Sequence, residues 1–221
     1  MKKHLTELVF ILDKSGSMAG LETDTIGGYN AMLKKQRTGE GDVNVTTVLF
    51  SDRIRQICTR ESIEQVPLMT EKEYQVGGCT ALLDAIGETI VYMKNVQKYA
   101  KPDQRADKVL FIITTDGYEN ASREYNYEKV RKMVEDQKKE DWEFLFLGAN
   151  IDAISTAAKF GIQPQFATNY VADEEGTRLN YEAMDKAVTC ARMSAPMEGW
   201  KAAVEADYQR RKTQKTGRQA D

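Results

Sequence analysis

The sequence predicts an α/β fold of the doubly wound, Rossmann-like type, with helices on both faces of a mostly parallel central sheet. Two uninterrupted apolar runs, Leu8–Leu12 and Val109–Ile113, are typical of strands that are buried on both faces. Segments with helical spacing of apolar residues alternate with these strands, which is the pattern of a parallel sheet covered by helices. A chain of 221 residues, 41% of them hydrophobic, is large enough for one such domain.

The first half of the chain continues this alternation after the strand Leu8–Leu12. Apolar residues at helical spacing predict a helix over Thr25–Arg37. β-branched residues then predict strands at Val43–Phe50 and Ile54–Cys58, which form a hairpin and give the sheet one antiparallel edge strand. A second apolar stripe predicts a long helix from Ala81 onward.

The second half of the chain repeats the pattern after the strand Val109–Ile113. The expected elements are an amphipathic helix around Tyr127–Val134, a strand at Trp142–Leu147, a short helix at Asp152–Lys159, a short strand within Gln165–Val171, and a last helix around Tyr181–Ala191.

The composition changes near the C-terminus. From Lys201 to Asp221 there is no Leu, Ile or Phe, whereas basic residues such as Arg210, Arg211 and Lys212 cluster. We therefore predict that residues 1–195 form a single domain and that residues 196–221 are a basic, frayed helix and solvated tail.

Charge and cysteine content restrict the protein classes to consider. The net charge is −3, from 31 basic and 34 acidic residues, so we expect no overall attraction to nucleic acid or to anionic membranes. Three widely spaced cysteines, Cys58, Cys79 and Cys190, suit free thiols in a reducing compartment. The first apolar run is too short for an export signal, and no stretch approaches the length of a membrane span. We therefore expect a soluble, cytoplasmic protein.

The turn that follows the first strand carries three oxygen donors. Asp13, Ser15 and Ser17 alternate with other residues in one tight turn, and Gly16 permits the bend. Oxygen-only ligation without His or Cys selects a hard cation, so Mg²⁺ is expected and Mn²⁺ or Ca²⁺ could substitute. The alternative interpretation is an Asx-type turn with no metal.

Two later segments supply further oxygen donors at the same end of the predicted sheet. Thr80 follows the glycine pair before the long helix, and Asp116 follows the strand Val109–Ile113. Ligands of doubly wound sheets bind beyond the carboxyl ends of the strands, where both segments lie. The charges of Asp13 and Asp116 approximately neutralise a divalent ion, and an ion held in this way keeps an open coordination position.

Together these segments resemble the metal-ion-dependent adhesion site (MIDAS) of the von Willebrand factor type A (vWA) domain family. The resemblance implies that Asp13, Ser15 and Ser17 are metal ligands. It further implies that Thr80 binds the ion directly or through water, that Asp116 binds it often through water, and that a Glu or Asp of a partner protein or a water completes the coordination. The match covers roughly residues 5–170. Many family members have a threonine where Cys79 stands, and Thr80 is preferred here because it has the oxygen.

The resemblance implies a non-enzymatic, metal-dependent binding module. We expect an intracellular adaptor that captures an exposed Asp or Glu of another protein. The alternative is a Mg²⁺-dependent phosphoester hydrolase with Asp13 as phosphate acceptor. That class usually has Asp-x-Asp, and Ser15 occupies the second position. A nucleotide-binding domain is weaker still, because neither of the common glycine-rich phosphate motifs is present.

Overall fold

The computed structural model of the protein describes residues 4–217. Its strands, in chain order, are β1 (Leu5–Asp13), β2 (Asp42–Phe50), β3 (Ile54–Ser62), β4 (Lys108–Thr115), β5 (Trp142–Gly148) and β6 (Ala167–Asn169). Its α-helices are α1 (Glu22–Gln36), α2 (Leu82–Tyr99), α3 (Tyr127–Lys138), α4 (Ala153–Lys159), α5 (Glu174–Arg192) and α6 (Ala202–Gly217).

All six strands belong to one sheet with the order β3-β2-β1-β4-β5-β6. Neighbouring strands are parallel except β2 and β3, which form an antiparallel hairpin at one edge. The predicted doubly wound α/β fold with one antiparallel edge strand is therefore confirmed.

Alternate residues of the central strand β1 serve two separate cores. Leu8, Phe10 and Leu12 pack in the core under α1 and α5, whereas Val9 and Ile11 pack in the core under α2, α3 and α4. Because side chains of a strand alternate between its two faces, the part of a strand that is covered on both faces is apolar at successive positions. This requirement explains the uninterrupted apolar run that the sequence shows.

The winding of the chain reverses at β1. From β1 the chain builds β2 and β3 on one side, and it then crosses to build β4, β5 and β6 on the other. The loops after β1 and β4 therefore leave the sheet at adjacent strand ends and open a crevice between them. This crevice is where the predicted oxygen donors meet.

The last strand is shorter than its predicted range, Gln165–Val171. A 3₁₀ turn at Pro164–Phe166 comes first, and β6 then has only three residues, which pair with the end of β5. Proline has no backbone N–H to donate to a sheet, which favours the turn over a longer strand at this point.

The C-terminal segment differs from the predicted frayed helix and solvated tail. Residues 202–217 form helix α6, and the start of this helix docks on the domain through the buried side chains of Trp200 and Val204. The Trp200 indole N–H donates to the carbonyl oxygen of Gln165 at 2.9 Å, and Arg211 forms an ion pair with Asp173 at the start of α5. Two apolar residues in a basic stretch are too few to give a periodic signal, which is why the docking was not predicted. Residues 218–221 lie outside the described residues, and the domain boundary at residue 195 stays a prediction.

Among residues 4–217, no helix has the length and apolar character needed to cross a bilayer.

We expect Trp200→Ala to destabilise the protein by roughly 3–5 kcal/mol, because it removes a large buried side chain and the hydrogen bond to Gln165. Urea denaturation followed by circular dichroism measures this change. The control is Tyr99→Ala at a side chain that is 74% exposed, where the change should stay within about 0.5 kcal/mol. Equal stability of the Trp200 variant and the wild type would contradict the docking of α6.

Candidate metal-binding site

The structure brings the five predicted site residues to one place, where three loops meet beyond the ends of β1 and β4. The Ser15 and Ser17 hydroxyl oxygens lie 3.0 Å apart and share a hydrogen bond. The Ser17 hydroxyl also donates to Oδ1 of Asp116 at 2.5 Å, which links the first loop to the third across 99 residues of sequence. These contacts place the oxygen atoms of both loops around a common point.

Asp13 is the last residue of β1, and its side chain is completely buried. Oδ1 accepts a hydrogen bond from the backbone N–H of Ser15 at 2.7 Å, and Oδ2 accepts one from the Thr115 hydroxyl at 2.5 Å. Burial raises the pKa of Asp13, and the hydrogen bonds from Thr115 and Ser15 act in the opposite direction. The carboxylate is thus held in a single orientation by both of its oxygens.

Asp116 follows β4 and is only 2% exposed. Oδ1 accepts from Ser17, but Oδ2 is buried and has no hydrogen-bond partner among the described residues. Burial raises the pKa of Asp116, the hydrogen bond from Ser17 lowers it, and the negative charge of Asp13 raises it. A buried carboxylate oxygen without a donor is costly, and a cation beside it would remove that cost.

Thr80 is buried in the second loop, and its backbone is fixed by the third. Its N–H donates to Oδ1 of Asn120 at 2.8 Å, and its carbonyl oxygen accepts from the Asn120 N–H at 3.0 Å. A Cβ placed on Gly117 would lie 3.1 Å from the Ser17 hydroxyl oxygen and 3.3 Å from that of Thr80, so both hydroxyls border the same space. Cys79, in contrast, is exposed.

The glycine pair of the second loop allows this loop to approach the first. The Gly16 N–H donates to the Gly78 carbonyl oxygen at 3.0 Å, and the Gly77 N–H donates to that of Lys14 at 2.9 Å. Gly77 and Gly78 have φ angles of 155° and 83°, values that favour glycine. A Cβ on Gly78 would also lie 2.2 Å from Oδ1 of Asp52. A larger residue at position 78 would therefore collide with the turn between β2 and β3 and displace the second loop.

Several residues that hold the site in place were not predicted from the sequence. Asn120 fixes Thr80, and the Tyr74 hydroxyl donates to the carbonyl oxygen of Asp13. Oε2 of Glu119 accepts from the N–H of Leu83 at 2.9 Å, and Oε1 accepts from two N–H groups within its own loop. Asp84 in turn accepts from the three N–H groups of residues 123–125. Partners so distant in sequence leave no local pattern from which these contacts could be predicted.

The donor set fits a hard divalent cation. It combines two carboxylates with three hydroxyl groups, and such oxygen ligands suit Mg²⁺, Mn²⁺ or Ca²⁺. Within residues 4–217, no group of three or more His, Cys, Asp or Glu side chains is arranged to hold a metal ion. An ion at this site would therefore depend on the hydroxyl oxygens as well as on Asp13 and Asp116.

No protein-family profile and no curated relative matches this chain. Several solved structures do. Proximal thread matrix protein 1 from the mussel byssus, with a zinc-occupied MIDAS motif, is 15% identical with a TM-score of 0.57, over 85% of this chain and 46% of that one. The manganese-loaded TRAP protein of Plasmodium vivax is 16% identical with a TM-score of 0.57, over 81% and 73% of the two chains. The vWF domain of the pili tip protein Mfa5 of Porphyromonas gingivalis is 8% identical with a TM-score of 0.59, over 84% and 95%. The present chain spans about half the length of the mussel protein.

We expect Asp116→Asn to stabilise the protein in the presence of a chelator. The amide keeps an acceptor for Ser17 and removes a charge whose burial beside Asp13 raises the pKa of Asp116 above its ordinary value of 3.8. Above the folded-state pKa the wild type carries the cost of the buried charge, so the difference from the variant is largest there. It disappears as the pH falls below 3.8, where the carboxyl group is protonated in both the folded and the unfolded state.

Thermal unfolding at several pH values measures this difference. Asp103→Asn makes the same change at an exposed carboxylate in the loop between α2 and β4, and it should leave the unfolding temperature unchanged. A metal-free Asp116→Asn protein less stable than the wild type at neutral pH would contradict the argument.

Proposed function

We propose that this chain, whose fold is that of a vWA domain, binds a divalent cation and uses the ion to capture a carboxylate of a partner protein. Asp13, Ser15, Ser17, Thr80 and Asp116 hold the cation, and Mg²⁺ is the ion expected in a cell. The observation that carries the proposal is the buried Oδ2 of Asp116, which has no donor and belongs to the same cluster as the Ser17 hydroxyl.

The chemistry of the residues supports a binding site for an acidic group. Two carboxylates approximately balance the charge of a divalent ion, and neutral hydroxyls provide the other protein ligands. The ion would attract one further anionic oxygen, such as that of an Asp or Glu side chain. Gly117 keeps the space beside Ser17 and Thr80 free of a side chain, which supports access from outside.

The arrangement of Asp13 favours binding over phosphoester hydrolysis. Both of its oxygens already accept hydrogen bonds, from Ser15 and from Thr115, and the side chain is completely buried. A phosphate acceptor needs one oxygen that can approach phosphorus in line with the leaving group. We therefore propose a non-enzymatic role.

We further propose that the protein acts in the cytoplasm as an adaptor in a protein assembly. Cys58, Cys79 and Cys190 are all free thiols in the structure, which suits a reducing compartment. The balanced charge of the chain supports a protein partner over a nucleic acid or a membrane.

We expect isothermal titration of the chelator-treated protein with MgCl₂ to show one saturable site. Asp13→Ala and Ser17→Ala should each weaken binding by at least about tenfold, because each removes an oxygen of the proposed ligand set. Circular dichroism checks that the variants are folded, and Asp103→Asn is the matched control that should bind as the wild type does. Equal binding by all four proteins would reject the metal site.

Capture of partners from a cell lysate should depend on the same ion. Tagged protein in MgCl₂ is expected to retain proteins that are lost with a chelator and that Asp13→Ala does not retain. If all retained proteins were held to the same extent by the wild type in MgCl₂, by the wild type in chelator and by Asp13→Ala in MgCl₂, another surface of the chain would be responsible for the binding.

A further inference from the structure

Tyr118 projects into solvent at the edge of the candidate site. It follows Gly117, whose Cβ position borders the hydroxyls of Ser17 and Thr80, and it is two residues beyond Asp116. Its side chain is 61% exposed. An accessible aromatic residue therefore lies next in sequence to the residues that border the site.

The exposure of Tyr118 differs from that of the next two tyrosines along the chain, Tyr125 and Tyr127. Tyr125 packs so closely on α2 that a Cβ on Gly87 would lie 2.3 Å from its ring, and Tyr127 stacks on Phe160 at a centroid distance of 5.5 Å. Tyr118 belongs to neither of the two hydrophobic cores of the described residues. Its ring thus contributes little to folding and is free for contact with another molecule.

The backbone that carries Tyr118 is fixed on both sides. On one side, the Gly117 N–H donates to the Thr115 hydroxyl at 3.2 Å. On the other side, Asn120 is bonded to Thr80, and Glu119 is bonded to the first turn of α2. A residue on such a backbone needs little further backbone ordering when a partner covers it, and aromatic side chains dominate many protein interfaces.

We propose that Tyr118 is a specificity-determining residue of the site, and that it packs against a large apolar side chain within two positions of the captured acidic residue. This inference rests on the proposed function, because the metal-bound acid places the partner chain beside the ring. Aromatic contacts are strongest with apolar or aromatic surfaces, so the preferred partner segment combines one Asp or Glu with a neighbouring Phe, Tyr, Trp, Leu, Ile or Met.

The test uses a displayed library of random nine-residue peptides, selected on the whole chain in MgCl₂ and in chelator. The wild type should enrich peptides with an acidic residue only in MgCl₂, and a large apolar residue within two positions of the acid should be enriched severalfold over the unselected library. Tyr118→Ala should keep the metal-dependent enrichment of the acid and lose the apolar preference. Tyr118→Phe should keep both.

Tyr99→Ala, a substitution at an exposed tyrosine at the end of α2, is the matched control and should behave as the wild type does. The inference about Tyr118 would be overturned if Tyr118→Ala kept the apolar preference, or if the wild type showed no such preference. In either case, metal-dependent enrichment of the acidic residue would still support the proposed function. Absence of any metal-dependent acid enrichment in the wild type would reject the proposed function itself.

Discussion

The hydrogen bond between the Thr115 hydroxyl and Oδ2 of Asp13 joins the last residues of the two central strands. It orients the most deeply buried carboxylate of the site, and it fixes the point from which the first and third loops diverge. The other contacts of the site follow from this arrangement. Ser15 reaches Asp13 within a single turn, whereas Ser17 can reach Asp116 only because β1 and β4 end side by side.

The site also shows how stability and binding oppose each other in this fold. Two carboxylates with raised pKa values lie close together in a buried position, and one of their oxygens has no donor. Folding alone would favour neutral residues at these positions. The surrounding hydrogen bonds from Ser15, Ser17 and Thr115 offset part of this cost and at the same time hold the oxygens in place. A site that is costly without its ligand is well prepared to bind one.

Much of this architecture could be predicted from the sequence because its signals are local. The apolar runs of β1 and β4 and the helical spacing in α2 determine the order of elements, and the turn after β1 forces Asp13, Ser15 and Ser17 together. The roles of Asn120, Glu119 and Tyr74 could not be predicted, because each acts on a residue at least 36 positions away. The docking of helix α6 was not predicted for a related reason, since Trp200 and Arg211 bond to Gln165 and Asp173, which are distant in the sequence.

The bond between Glu119 and Leu83 has a consequence for the order in which the protein folds. Helix α2 begins after Ala81, which provides no side-chain cap, and the acceptor for its first turn comes from a loop 36 residues later. The hydrogen bonding of the first turn of α2 is therefore completed only when the loop after β4 is in place, and bringing the two together closes a long stretch of chain. A nascent chain that stops before Glu119 therefore lacks the carboxylate that accepts from the first turn of α2.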